Sequence, residues 1–274
     1  MTNTQKTIKY CAIVFAILLI VSIFSGIIQL ISSIFFAFSN DSDIIGENRV
    51  HELSDLSNIE NLNIDIGAAA LEIKTGEAFS VESNHKYLKV RVKNGTLVIE
   101  DEHRPIRMNS AKGAQVNLTV PEGFSFNRAE IEMGAGNLKV ESLYTNKLSM
   151  DLGAGETIFE NLTVGNQTEI TTGVGQFSIL GGSISELDFS MGIGDVFLKI
   201  ELLEEGEFDC GIGKAEIVLL GTKEDYSVSV SKGMGSAKVD GEAVSGDKTI
   251  GSGSVSIEIN GGIGNTLIAF AEKE

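Results

Sequence analysis

Two carboxylates, Glu156 and Asp195, occupy the same place in two copies of a recurring segment, each directly after a Gly-x-Gly tripeptide. Paired carboxylates are what a glycan-cleaving enzyme would use. Along the chain, however, that place reads Asn137, Glu156, Gln176, Asp195, Lys214, Ser236 and Asn265, with no column of His or Arg beside it. In stacked strands the two acids would lie about 10 Å apart with Gln176 between them, a solvated corner rather than a catalytic pair. Calcium chemistry is suggested by GIGD at 192–195 and GGIGN at 261–265. Calcium-loaded β-rolls need their motif every nine residues, and the period here is near 20. No Gly-x-Gly completes GxGxxG at the start of a helix, which removes the dinucleotide reading. Cys11 and Cys210 have no CxxC neighbour, so neither a disulfide framework nor a zinc spacing exists. Cys210 falls in an inward column and reads as a buried, inert thiol. His51, His85 and His103 lie scattered in polar segments and read as solvated side chains, and Ser252 and Ser254 of GSGSVS have no paired His. No catalytic residue, metal ligand or cofactor site is assigned.

Composition narrows the remaining classes. The 274 residues carry 21 Lys and Arg against 38 Asp and Glu, a net charge of −17, and phosphate backbones need the opposite sign, so nucleic acid is excluded as a partner. Hydrophobic residues make up 42% of the chain, enough for a core. Glycine is abundant at 31 while proline numbers 2, a balance that fits regular turns in a β-rich chain.

Residues 10–38 contain no charged side chain and exceed the roughly 20 residues that cross a bilayer as a helix. Lys6 and Lys9 precede this span and the acidic residues begin at Asp41, so the sequence predicts a single-pass anchor with its amino terminus cytoplasmic and the rest outside. A cleaved signal peptide is the competing reading, but its apolar region is shorter, at about 7–15 residues. The expected order is a tail at 1–9, a transmembrane helix at 10–38, an acidic stalk at 39–59 and a repeat domain at 60–274. The bilayer is then the partner of residues 10–38, and an envelope protein or wall polymer is the expected partner of the remainder.

The repeat is marked by Gly134-Ala135-Gly136, Gly153-Ala154-Gly155, Gly173-Val174-Gly175, Gly192-Ile193-Gly194, Gly211-Ile212-Gly213, Gly233-Met234-Gly235 and Gly262-Ile263-Gly264. The first five are 19, 20, 19 and 19 residues apart, and the spacing then stretches to 22 and 29. An earlier copy is LNIDIGAAALEI, with Gly67 in the first glycine's place and Ala69 in the second's. A fixed period over many copies means a stacked coil in which no copy buries its own apolar face.

Counting from the first glycine, positions −3, −1 and +1 are apolar, as in Ile131, Met133 and Ala135, and apolar residues return at +4 and +6, as in Leu138 and Val140. Alternation by two means strand, and the change of parity across Gly-x-Gly would turn half the set into water in a flat strand. These glycines, Gly67 included, are therefore structural corners where the chain bends and backbones approach closely. The prediction is an all-β, parallel β-solenoid of about 19–20 residues per turn, with successive copies stacked in chain order. Asn94-Gly95, between alternating runs, predicts a hairpin. The finishing AEKE is expected to guard the open end of the stack.

VNLTVPEG at 116–123, followed by AEIEMGAGNLKVESL and the further strand–Gly-x-Gly–strand copies, resembles the bacterial putative adhesin domain family with β-strand repeats found in LiaG-like envelope proteins. The resemblance covers roughly residues 60–270. It implies a β-solenoid at the membrane or cell surface, with some members similar to products of envelope-stress operons, and it carries no demonstrated activity. The reading is a non-enzymatic, membrane-anchored extracytoplasmic binding or scaffolding module at the bacterial cell envelope, with a role in envelope stress. The alternative is a carbohydrate-active β-helix enzyme acting on cell-wall polymers.

Overall fold

The computed structural model describes residues 45–53, 56–101, 113–231 and 233–273. The expected tail and transmembrane helix, at 1–38, lie outside the described residues, as do His103 and Cys11. No helix among the described residues is long and apolar enough to cross a membrane.

Among the described residues, fifteen strands form one sheet that turns back on itself. In chain order they are β1 (Ile45–His51), β2 (Asn61–Gly76), β3 (Ser80–His85), β4 (Leu88–Lys93), β5 (Thr96–Asp101), β6 (Gln115–Pro121), β7 (Ser125–Ile179) and β8 (Gly182–Asp209). The remainder are β9 (Ile212–Leu220), β10 (Tyr226–Ser231), β11 (Met234–Val239), β12 (Glu242–Ala243), β13 (Lys248–Ile250), β14 (Val255–Asn260) and β15 (Ile263–Ala271). β7 runs for 55 residues through several copies without a break, because the chain rounds each corner while still paired to its neighbours.

The ladders are parallel and keep register corner to corner: Gly175 pairs with Gly194, Gly194 with Gly213, and Gly264 with both Gly213 and Gly235. Residues before each corner form one side of the coil and residues after it a second. A short third side pairs Leu162–Val164 with Gly182–Ile184. The parity change at the corner keeps both apolar sets inside. Ile131, Phe189 and Phe208 enter the core from the first side, and Leu138, Phe159 and Phe177 from the second. Phe159, Phe177, Phe189 and Phe208 form a continuous ring stack with centroids 6.2, 5.3 and 6.4 Å apart. Burial of each ring stabilises the fold by about 1.5–3 kcal/mol.

The stacking order departs from chain order at the far end. β14 and β15, the final copy, lie between the copy that ends β8 and forms β9 and the copy formed by β10 and β11. This accounts for the stretched spacing. The connector from β9 to β10 crosses two strand spacings instead of one, an extra distance of about 4.8 Å that needs additional residues. It is fixed by Asp225, whose carboxylate accepts from the Thr222 N–H at 2.7 Å and from its hydroxyl at 2.9 Å. The longer spacing of 29 contains the return: β12 and β13 pair antiparallel to β11 and β10 and cover the end of the stack with very short edges. The end is therefore guarded by β12 and β13, and residues 271–273 of AEKE instead close the inserted copy, where Lys273 pairs with Glu201.

The near end also differs from a simple coil. β4 and β5 form the predicted hairpin, with Asn94 at φ +50° and Gly95 at φ +76°, and β5 continues one side of the coil beside β2. On the second side β6 pairs with β2, β3 runs antiparallel to β6, and β1 antiparallel to β3. β1 comes from the segment expected as a stalk, so Ile45–His51 of that segment belong to the sheet. It has no apolar alternation to reveal it. The backbone ladder and Arg49, which donates to the Lys86 carbonyl at 2.8 Å, hold it in place.

Candidate binding surfaces

The corner is the most regular feature. The second glycines lie in one column, and Gly155 shows why: φ is +150°, and a Cβ would overlap the Gly136 carbonyl oxygen of the neighbouring rung. At Gly153 the φ is ordinary, but a Cβ would meet the Gly134 carbonyl in the same way. Ala69, which departs from the pattern, pairs with Gly136 and forms the first corner of the column, because β5 and β6 pair with β2 only before and after it. Its φ is not positive.

The residues between the glycines also form a column. From the near end it reads Ala68, Ala135, Ala154, Val174, Ile193, Ile212, Ile263 and Met234, small residues giving way to large ones along the stack once the inserted copy is placed. The sequence suggested these +1 side chains point inward. They are half-buried or exposed at the corner, with Ile263 46% and Met234 72% exposed. A crevice of about 30 Å³ beneath them, between Met133, Leu152, Phe177 and Met191, has room for water-sized occupants only.

The two broad sides carry different chemistry. On the side before the corner, outward positions hold Glu169, Asp188, Glu205, Glu207, Asp209 and Glu258. Asp209 foremost, then partial desolvation and the other acids, push the Glu207 carboxyl above the usual range. Cations gather at the near end of this side: Arg91 forms a two-pronged pair with Glu100 at 2.7 and 3.0 Å, and Arg128 lies 2.6 Å from Glu130. Arg128 and Glu130, with Asn61, Asn63 and Lys93, line a shallow polar concavity.

The side after the corner is balanced in charge. Lys74 pairs with Glu72 at 2.9 Å, Lys139 with Glu160 at 3.1 Å and Lys214 with Glu216 at 2.6 Å. Between these pairs Ile158, Leu180, Phe197, Val218, Leu267 and Ala269 present partly exposed apolar surface, with Leu180 45% exposed. Glu156 and Asp195 lie on this side with Gln176 on the intervening rung, and Asp195 accepts from the Lys214 backbone N–H at 3.2 Å. The structure does not bring them together.

The remaining reactive groups have structural settings. Cys210 is half-buried rather than fully buried; desolvation raises its thiol pKa despite a hydrogen bond with the Thr266 side chain. His85, expected in solvent, is 1% exposed. Its Nδ1 accepts from the Tyr87 N–H at 3.2 Å, while Ser83 Oγ accepts from the His85 backbone N–H at 2.9 Å and donates to the Gln115 carbonyl at 2.7 Å. Thus Ser83 engages the backbone of His85 and not its imidazole. His51 has its Nε2 buried without a partner, and desolvation, then Arg49, lowers its pKa. No alternation pointed to His85, since Asp101, the carboxylate that its Nε2 faces, lies sixteen residues away across a hairpin.

This geometry defines an all-β, solenoid-like repeat domain with a glycine-lined corner between two unlike sides. A family model described as Toastrack, a domain of unknown function (DUF4097), matches residues 59–262, and the chain belongs to that family. Similar solved structures include a "putative cell adhesion protein" from Clostridium sporogenes, 16% identical, covering 82% of this chain and 99% of that one with a TM-score of 0.40. A "putative adhesin" from Bacteroides fragilis is 12% identical over 81% and 96% of the two chains, with a TM-score of 0.41. A "putative lipid binding protein" from Parabacteroides distasonis is 14% identical over 80% and 96%, with a TM-score of 0.42. No curated protein matches the chain.

Proposed function

We propose that the chain is a non-enzymatic binding module of the bacterial cell envelope, anchored through residues 10–38 and displaying the repeat domain outside the membrane. The 29 uncharged residues behind Lys6 and Lys9 support the anchor and its direction. The side after the corner carries the binding reading: Ile158, Leu180, Phe197, Val218 and Leu267 recur between paired Lys and Glu over successive rungs, an extended contact surface. Its partner is a wall polymer or an envelope protein, and a role in envelope stress belongs to the same reading.

The test uses residues 40–274 beside the full chain, with separated wall polymer, membranes and envelope proteins as ligands and glycan release assayed in the same samples. Saturable binding that is lost in Leu180→Asp/Phe197→Asp, without released glycan, is the expected result. Released glycan fragments would replace this reading with a wall-degrading enzyme.

A further inference from the structure

The final copy fills a slot. β14 pairs with Glu205–Asp209 of β8 on one edge and with β10 on the other, while β15 pairs with β9 and β11. β10 and β11 are ladder neighbours of the final copy and not of β8 or β9. The slot is defined by backbone pairing on both edges and by the corner column, where Gly264 sits between Gly213 and Gly235.

The way into the slot is short and crowded. β13 and β14 lie on opposite edges of β10, and only residues 251–254, GSGS, connect them. This hinge crosses two strand spacings, roughly 10 Å, when four extended residues reach about 14 Å at most. Gly251 takes φ +81°, and a Cβ on it would overlap the Tyr226 carbonyl; one on Gly253 would overlap the Asp225 backbone. The Gly253 N–H donates to the Tyr226 carbonyl at 3.0 Å, holding the hinge against the start of β10. Short hinges under strain favour the exchange of the element they carry between identical chains.

We infer that the slot between β8–β9 and β10–β11 accepts β14–β15 from a second copy of this chain, so that two chains exchange final copies reciprocally. Every ladder pair of the final copy is reproduced in the exchanged pair, the Lys273–Glu201 ion pair included, and the hinge straightens. The occupant is fixed by register: strand, Gly-x-Gly and strand must match both walls at once.

Ser236 and Asn265 report the exchange, since they are exposed and meet across β11 and β15 with Oγ donating to Oδ1 at 2.7 Å. Full-length chains in detergent, with Cys11 and Cys210 changed to Ser, would carry either Ser236→Cys or Asn265→Cys. The two are mixed, held folded at high concentration and, in parallel, refolded together before oxidation. A disulfide-linked dimer that forms in the mixture and not from either chain alone, and increases with protein concentration, is expected. Gly253→Ala should raise its yield, and a second GSGS inserted after Ser254 should abolish it while the strand signal in circular dichroism is retained. The double variant, linked within one chain, shows that the two cysteines can meet. If it links while the mixture gives no more dimer than the separate chains under both regimes, the inference fails.

Discussion

His85 Nε2 lies 3.4 Å from Asp101 Oδ2, and this contact ties β3, on the side after the corner, to β5, on the side before it. Because Nδ1 accepts from the Tyr87 N–H, the imidazole proton sits on Nε2 and faces the carboxylate. The near end of the coil, where the chain runs in antiparallel flaps rather than rungs, is thus closed by a polar latch inside the core.

Asp101→Asn keeps the size of the side chain and removes the charged acceptor. It should lower stability by about 1–3 kcal/mol in urea unfolding, because His85 is left buried with a weakened partner. Hydrogen exchange should rise first in β3 and β5. Unchanged exchange there would mean that the latch contributes nothing.

At the corner, Gly155→Ala faces both a positive φ and the Gly136 carbonyl, whereas Gly123, at φ +71°, has open space where a methyl group would go. The first substitution should cost more than about 3 kcal/mol and the second about 1 kcal/mol. Equal losses in thermal unfolding would remove the close stacking of backbones as the reason for the glycine column.

Tyr226 stacks on Phe270 with ring centroids 5.8 Å apart, and its hydroxyl donates to the Leu220 carbonyl at 2.6 Å. Burial pushes its pKa up to about 12. The folded chain then keeps the proton that the unfolded chain loses near pH 10, so stability is full below that pH and declines as pH rises toward 12. Tyr226→Phe should cost about 1 kcal/mol at neutral pH and flatten this alkaline decline.

Glu207 binds its proton more tightly in the folded chain than in the unfolded one, because Asp209 and its neighbours repel the carboxylate. Its contribution therefore favours folding as pH falls through its raised pKa, and added salt should act in the same direction at neutral pH. Glu207→Gln should raise the melting temperature and reduce its dependence on salt. A melting temperature that falls in the variant would show that Glu207 has a stabilising contact instead.

The coil was legible in the sequence because its physics is periodic. Gly-x-Gly every 19 or 20 residues and the parity change across it can be satisfied together by a corner, and the Asn94-Gly95 turn declared the β4–β5 hairpin. The swapped order of the last two copies was written only as spacings of 22 and 29. Those numbers fit a crossing of two strands but do not choose its direction. β1 escaped notice because it is held by backbone pairing, and His85 because nothing local to a polar segment shows which side chain the second flap will cover. The outward position of Ile263 and Met234 was hidden by the corner itself, where strand alternation ceases to assign faces.

A repeated surface ordinarily offers the same grip at every rung, so an elongated partner can slide by one rung and lose little. The column from Ala68 through Val174 and Ile212 to Met234 limits that equivalence, since alanine at the near end gives way to valine and then to isoleucine and methionine at the far end. The corner therefore has a direction and an address: whatever lies along it can distinguish one end of the coil from the other.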